Sequence, residues 1–143
     1  MYKEFNQETF AKYDVAARDK AKLFWSSQGY DCTDNENEFG VDLVVQKDNR
    51  RFYCEVEVKT VWHGKEFVHN TMHIPVRKAK FLNKPTQFMV FNNSMTRAGI
   101  IGRKHVLAAP TKHVKNVALS FGEKFFDIPV ENVIFVPIPK EKL

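Results

Sequence analysis

Four side chains that could perform metal-assisted hydrolysis fall on two neighbouring segments of the sequence. Asp42 precedes an apolar run, and Glu55, Glu57 and Lys59 alternate with apolar residues a short distance further on. Carboxylates about 5 to 7 Å apart can share a hard divalent cation such as Mg²⁺, which prefers oxygen ligands. A lysine beside such an ion would orient an attacking water or neutralise charge on a phosphoryl transition state.

A β-hairpin is the element that must position these groups. Residues 41–46 and 52–60 are rich in strand-forming side chains and are separated by a turn-forming stretch. A two-residue turn would pair Asp42 with Glu55, whereas a four-residue loop would pair it with Glu57. Both registers assign the same side chains to each face of the hairpin, because side chains along a strand alternate with a period of two. The apolar face carries Val41, Leu43, Val45, Phe52, Cys54, Val56 and Val58.

A simpler interpretation is that the other, polar face of the hairpin contacts only solvent. Glu55, Glu57 and Lys59 would then be the exposed side of an amphipathic strand, with ion pairs worth about 0.5 kcal/mol. The acid Asp42 on the partnering strand favours a site over this interpretation.

The remaining pattern predicts an α/β chain. Residues 6–28 form a predicted helix, in which apolar residues recur at three- and four-residue steps and Gly29 provides the stop. The order of helix, hairpin and alternating elements predicts one domain, residues 1–143, with a mixed central β-sheet flanked by helices. Further strands are predicted at 30–33, 66–74, 86–91, 98–102 and 125–137, and short helices at 75–82 and 103–109.

Two segments of the hairpin resemble a known family. Gly40-Val41-Asp42-Leu43-Val44-Val45, followed by Glu55-Val56-Glu57-Val58-Lys59-Thr60, is similar to the pattern of the PD-(D/E)xK, or restriction-endonuclease-like, nuclease superfamily. Asp42 matches the first acid of that pattern, Glu57 the second and Lys59 the lysine. Val41 stands where many members have proline. The resemblance covers residues 6–60.

The resemblance implies a restriction-endonuclease-like fold and a Mg²⁺-dependent DNA endonuclease, with Mn²⁺ as an alternative ion. Asp42 and Glu57 would ligate the metal together with the backbone carbonyl of Val58. Lys59 would orient the water or stabilise charge. Glu55 would be either an auxiliary acid or an exposed glutamate.

Many members of the superfamily add an acid from the first helix, for which Asp14 and Asp19 are the candidates. The small size and the helix-first order resemble archaeal or viral Holliday junction resolvases, which would imply branched DNA as substrate, a homodimer and a viral origin. They also resemble the nuclease modules of restriction and repair enzymes.

The charge balance favours an anionic partner. Lys and Arg number 22 against 17 Asp and Glu, which gives a net charge of +5. Such cations give salt-sensitive contacts to DNA phosphates. For any single one of them solvated surface is the better explanation, whereas as a set beside an acidic metal site they favour contacts to DNA. The candidate DNA-binding residues are Arg77, Lys78, Lys80, Arg103 and Lys104.

Other features of the sequence indicate where the protein is located. No apolar run approaches the roughly 18 residues of a membrane span, and the N-terminus lacks the apolar core of a signal peptide. The two cysteines are too few for a framework of disulfide bonds. We therefore expect a cytoplasmic protein with no membrane partner.

Three histidines lie close together in the sequence, at His63, His69 and His73. We expect them in a loop that faces DNA rather than in a zinc site, because no further ligands accompany them. The alternative functions are a catalytically silent DNA-binding or assembly protein on the same fold and an unrelated α/β interaction domain.

Overall fold

The computed structural model describes residues 7–37, 40–116 and 119–140, and it is built from nine strands and two α-helices in those ranges. The predicted first helix is confirmed as α1, although residue 6 lies outside the described ranges. It ends before Gly29, whose φ of +88° suits a residue without a Cβ. The elements are α1 (Gln7–Ser27), β1 (Asp31–Asp34), β2 (Leu43–Lys47), β3 (Arg50–Val58), β4 (Thr71–Pro75), a 3₁₀ helix (Val76–Asn83), β5 (Thr86–Phe91), β6 (Arg97–Gly102), α2 (Arg103–Ala108), β7 (Thr111–Asn116), β8 (Leu119–Pro129), a 3₁₀ turn (Val130–Asn132) and β9 (Ile134–Pro137).

The strands form two sheets, so the expectation of a mixed α/β fold is confirmed. Six strands lie in the order β1-β2-β3-β5-β6-β9, where β3 and β5 pair in parallel and the other pairs are antiparallel. A second sheet has the order β4-β8-β7. One face of the large sheet packs on α1, but the other packs mainly on the second sheet, and not on helices alone as expected.

Two apolar cores hold these layers together. The predicted stripe of α1, including Ala17, Ala21 and Phe24, is buried against the apolar face of the hairpin. The opposite face of the large sheet presents Phe88 and Val90 to the second sheet. Burial of each large side chain contributes roughly 1.5 to 3 kcal/mol, so both faces of the large sheet are fixed. No helix among the described residues is long and apolar enough to cross a bilayer.

The hairpin adopts the shorter of the two predicted connections. β2 and β3 pair from Leu43 with Cys54 to Lys47 with Arg50, which leaves a two-residue turn. Asp48 opens that turn with a φ of +50°, a left-handed conformation that aspartate tolerates. Continuation of the register by one residue sets Asp42 opposite Glu55.

The loop that follows β3 is tied to the end of β5. Asn92 is fully buried, and its amide donates hydrogen bonds to the Gly64 carbonyl at 2.8 Å and to Thr96 Oγ1 at 3.0 Å. Asn93 donates a side-chain hydrogen bond to the Thr60 carbonyl at 3.0 Å. These bonds fix the path of the chain beyond the carboxyl ends of the two parallel strands.

Candidate functional site

Carboxylates from two parts of the fold line one cleft of about 400 Å³, which we call the carboxylate cleft. Its acids are Asp14 on α1, Asp42 just before β2, and Glu55 and Glu57 on β3. The hairpin brings three of them together because opposed residues and residues two apart on a strand share a face. The lining residues are Tyr13, Asp14, Ala17, Asp42, Glu55, Val56, Glu57, Val58, Thr60, Arg77 and Lys78.

Asp42 is held firmly by the neighbouring strand. The Val56 backbone N–H donates to Asp42 Oδ2 at 3.0 Å, and the Asp42 backbone N–H donates to Glu55 Oε1 at 3.1 Å. The first bond fixes the orientation of the Asp42 carboxylate. The second ties Glu55 to the same junction, so this glutamate is not the exposed residue that one of the sequence interpretations allowed.

A buried lysine lies among the carboxylates. Lys78 Nζ is 3.3 Å from Glu55 Oε2 and 3.9 Å from Glu57 Oε2, and the lysine is only 8% exposed. Burial raises the pKa of the Glu55 carboxyl from 4.5 to about 8, the Lys78 ammonium opposes that rise, and the Asp42 carboxylate adds to it. The site thus contains one compact positive charge against several acids.

Glu57 carries an oxygen that the protein leaves unsatisfied. Among the described residues, no group donates a hydrogen bond to the buried Glu57 Oε2, and the Lys78 ammonium stands off at the ion-pair distance of 3.9 Å. Buried carboxylate oxygens without partners are uncommon, and they indicate a missing ligand or a functional role. The donor set of the cleft is entirely oxygen, which fits a hard divalent cation. Within the described ranges, however, no three His, Cys, Asp or Glu side chains already converge tightly enough to hold an ion.

Of the two candidate acids on the first helix, Asp14 lines the cleft and Asp19 is exposed. Burial and the negative charge of Asp42 raise the pKa of the Asp14 carboxyl, and Arg18, at 3.3 Å, opposes this rise. The Asp14 and Asp42 carboxylates repel each other, and a cation bound between them would reduce this repulsion.

Lys59 lies outside the carboxylate cleft. It follows the last residue of β3, its N–H donates to the Phe91 carbonyl at 2.9 Å, and it lines a neighbouring cavity of about 510 Å³. We call this cavity the histidine cavity. It is lined by Lys59, Val61, Trp62, His63, Glu66, Phe67, Val68, His69, Asn70, Thr71, His73 and Lys112.

His73 is the most constrained histidine of the cavity. Its Nε2 lies 3.0 Å from Asp127 Oδ1, and its ring stacks on Phe125 with the centroids 5.3 Å apart. Burial and then the positive charge of Lys59 lower the pKa of the His73 imidazole, against the opposing carboxylate of Asp127. Burial and Lys59 thus favour the neutral form of this imidazole.

The candidate DNA-binding residues separate into two groups. Arg77 lines the carboxylate cleft and pairs with Glu123 at 3.2 Å, and Lys80 is exposed on the same 3₁₀ helix. Arg103 and Lys104 line a third cleft near the opposite end of β3. The Arg103 guanidinium donates to the Leu82 carbonyl, so the 3₁₀ helix connects the two groups.

Sequence reasoning missed two features of these sites. Lys78 was expected to be a surface phosphate contact, yet it is buried at the carboxylates, because the 3₁₀ helix packs on β4 and β8 and its Lys78 side chain reaches Glu55 and Glu57 of β3. Arg50 and Arg51, interpreted only as turn residues, line the third cleft beside Arg103. Their adjacency immediately after the turn was the signal available in the sequence.

No model of a known protein family matches the chain, and the curated proteins contain no match to it.

We expect Glu55 to make the stability of the metal-free protein depend on pH. Its pKa is raised in the folded state, so the folded protein retains a proton that the unfolded chain has lost between pH 4.5 and about 8. The free energy of unfolding should therefore fall as the pH rises through this range. Urea unfolding at several pH values should show a shallower fall for Glu55→Gln. The exposed Glu36→Gln is the control and should follow the wild type; a slope unchanged in Glu55→Gln would contradict this assignment.

Proposed function

We propose that the protein is a metal-dependent DNA endonuclease with a restriction-endonuclease-like domain over residues 1–143. One observation carries the proposal: Asp42 and Glu57, the two acids of the PD-(D/E)xK pattern, line the same cleft. The unsatisfied oxygen of Glu57 and the fixed carboxylate of Asp42 add support.

Mg²⁺ or Mn²⁺ is the proposed cofactor. Asp42, Glu57 and the backbone carbonyl of Val58 would hold it, with Glu55 as an auxiliary acid and Asp14 as the acid from the first helix. When bound, the ion supplies Lewis acidity and a water of lowered pKa. The chain itself orients Asp42 through the Val56 N–H and places the Lys78 ammonium beside Glu55.

Two lysines near the carboxylate cleft, Lys59 and Lys78, bear on whether the protein cleaves DNA or only binds it. Lys78 is the ammonium group closest to the carboxylates, whereas Lys59, the lysine of the pattern, lines the histidine cavity. The location of Lys59 is the specific observation that favours a second candidate function, a catalytically silent DNA-binding protein on the same fold. Only an activity measurement separates these two candidates.

The direct test is incubation of the protein with linear, branched and single-stranded DNA in Mg²⁺ and in EDTA. The proposal predicts cleavage in Mg²⁺, none in EDTA, and a large loss of rate in Glu57→Gln, which neutralises a proposed ligand of the metal. Asp48→Asn is the matched control, since it removes a carboxylate at the turn end of the same hairpin and should cleave like the wild type. Binding without cleavage of any of these substrates would favour the silent protein.

We expect DNA affinity to depend on salt through the basic groups along the 3₁₀ helix. Glu57 lies six residues along β3 from Arg51, a span of about 20 Å, or about six base pairs. Arg77→Ala combined with Lys80→Ala should lower affinity and flatten the slope of log K against log salt by about one to two units.

Binding measured at several salt concentrations checks this expectation. Lys140→Ala, which removes an exposed lysine that lines none of the three clefts, should change little. An unaltered slope in the double variant would remove the 3₁₀ helix from the binding surface.

A further inference from the structure

The histidine cavity has the composition of a nucleotide site. It combines aromatic rings, two lysines and several side chains that can bond the edge of a base, within a volume of about 510 Å³. That volume lies in the range of sites for small organic ligands. In the part of the chain that the structure describes, no three His, Cys, Asp or Glu side chains are grouped tightly enough to hold an ion, in this cavity as in the carboxylate cleft.

We propose that the histidine cavity receives one unpaired nucleotide of the substrate strand, and that the substrate is therefore single-stranded or locally opened DNA. This inference rests on the proposed nuclease function and specifies its substrate class. A base within an intact duplex is stacked and paired, and it cannot enter a side pocket without being extruded.

The cavity adjoins the carboxylate cleft through the chain that follows β3. Val58 and Thr60 line the cleft, whereas Lys59 and Val61 line the cavity. Consecutive Cα atoms are about 3.8 Å apart, so the two spaces are neighbours along one short stretch of backbone. A strand with a phosphate at the carboxylates would therefore carry an adjacent nucleotide to the cavity.

The walls of the cavity supply both parts of nucleotide recognition. Phe67 is half-buried, its ring lies edge-on to Trp62 at 5.2 Å and to His69 at 5.4 Å, and His69 is exposed. Such rings stack with any base, because every base has a π-face. Lys59 and the exposed Lys112 provide positive charge for the phosphates.

The cavity is already formed in the free protein. The Trp62 indole N–H donates to the Glu66 carbonyl at 3.1 Å, and the buried Asn92 holds Gly64. A preformed loop binds without a large ordering cost. Val61 and Val68 are 81% and 82% exposed, although both line the cavity. Apolar side chains in this position suit contact with the faces of unpaired bases.

The test compares a labelled oligothymidylate with a duplex of the same length, both in EDTA, so that binding is measured apart from cleavage. Phe67→Ala should weaken single-strand binding about tenfold, and Lys112→Ala several-fold, without changing duplex affinity. Lys112 is exposed, so its variant remains informative if Phe67→Ala folds poorly. Lys124→Ala is the matched control, because Lys124 neighbours Phe125, the partner of Lys112, and so lies on the other face of that small sheet.

Photocrosslinking of the same oligonucleotide carrying 5-bromouracil locates the contact, and it should label residues 61–73. Equal effects of Lys112→Ala and Lys124→Ala on both DNAs, or crosslinks confined to other segments, would overturn the inference. Cleavage of intact duplex by both cavity variants at the wild-type rate would overturn it while leaving the nuclease function standing. Single-strand binding that depends on the cavity, with no cleavage of any DNA in Mg²⁺, would support the cavity and contradict the nuclease.

Discussion

Replacement of Asp42 by asparagine should reduce Mg²⁺-dependent DNA cleavage by about a thousandfold or more, while the protein stays folded. A thousandfold loss corresponds to about 4 kcal/mol of transition-state stabilisation, which is the scale expected for loss of a ligand charge at a hydrolytic metal site. The asparagine oxygen can still accept the bond from the Val56 N–H, so the local fold is retained. Loss of the charge also relieves the repulsion that raises the pKa of Asp14.

Single-turnover cleavage with urea unfolding of the same samples measures both parts of this prediction. Asp19→Asn is the matched control, because it neutralises an exposed acid of α1 outside the cleft. Cleavage by Asp42→Asn at the wild-type rate would show that Asp42 is not a ligand. A loss of cleavage that merely follows a loss of stability would assign Asp42 to the fold instead.

Replacement of Lys78 by methionine is expected to lower the free energy of unfolding at pH 9, where Glu55 is ionised, by about 1 to 2 kcal/mol. Lys78 is buried and lies 3.3 Å from Glu55 Oε2. Removal of one partner of a buried ion pair leaves the other charge desolvated and uncompensated. The loss should be smaller at pH 5, where a protonated Glu55 needs no partner.

Lys80→Met provides the control, since Lys80 lies two residues further along the same 3₁₀ helix and is exposed. Its cost should stay below about 1 kcal/mol. The double variant Lys78→Met with Glu55→Gln should recover part of the loss, because it removes both members of the pair. If the double variant loses as much unfolding free energy as the two single variants together, the two residues are not directly coupled.

Local patterns were sufficient to predict most elements of the fold. The apolar stripe of α1, Gly29 at its end and the alternation in β3 each follow from a single period in the sequence. The second sheet was not predicted because β7, with the sequence Thr-Lys-His-Val-Lys-Asn, is largely polar and its first three side chains are exposed. Its strand state arises from pairing with β8, which is a tertiary contact that no local pattern encodes.

The candidate site was predictable where the hairpin alone determines it. Asp42 and Glu55 face each other because the register follows from a two-residue turn and a period of two. Lys78 and Asp14 could not be placed in this way, because packing of the 3₁₀ helix and α1 on the sheet brings them to the carboxylates. Lys59 lies one residue beyond β3, where the strand alternation no longer determines the direction of its side chain.

The most direct test of a metal site in the carboxylate cleft is a titration of the protein with Mn²⁺, in which free ion is measured by electron paramagnetic resonance without DNA. The account predicts that the wild type and Asp19→Asn bind Mn²⁺, that Mg²⁺ displaces it, and that binding is lost in Asp42→Asn and in Glu57→Gln. It also predicts that Mn²⁺ raises the melting temperature only of the two proteins that bind it. Equal Mn²⁺ binding by all four proteins, or none by the wild type, would contradict a metal centre at Asp42 and Glu57.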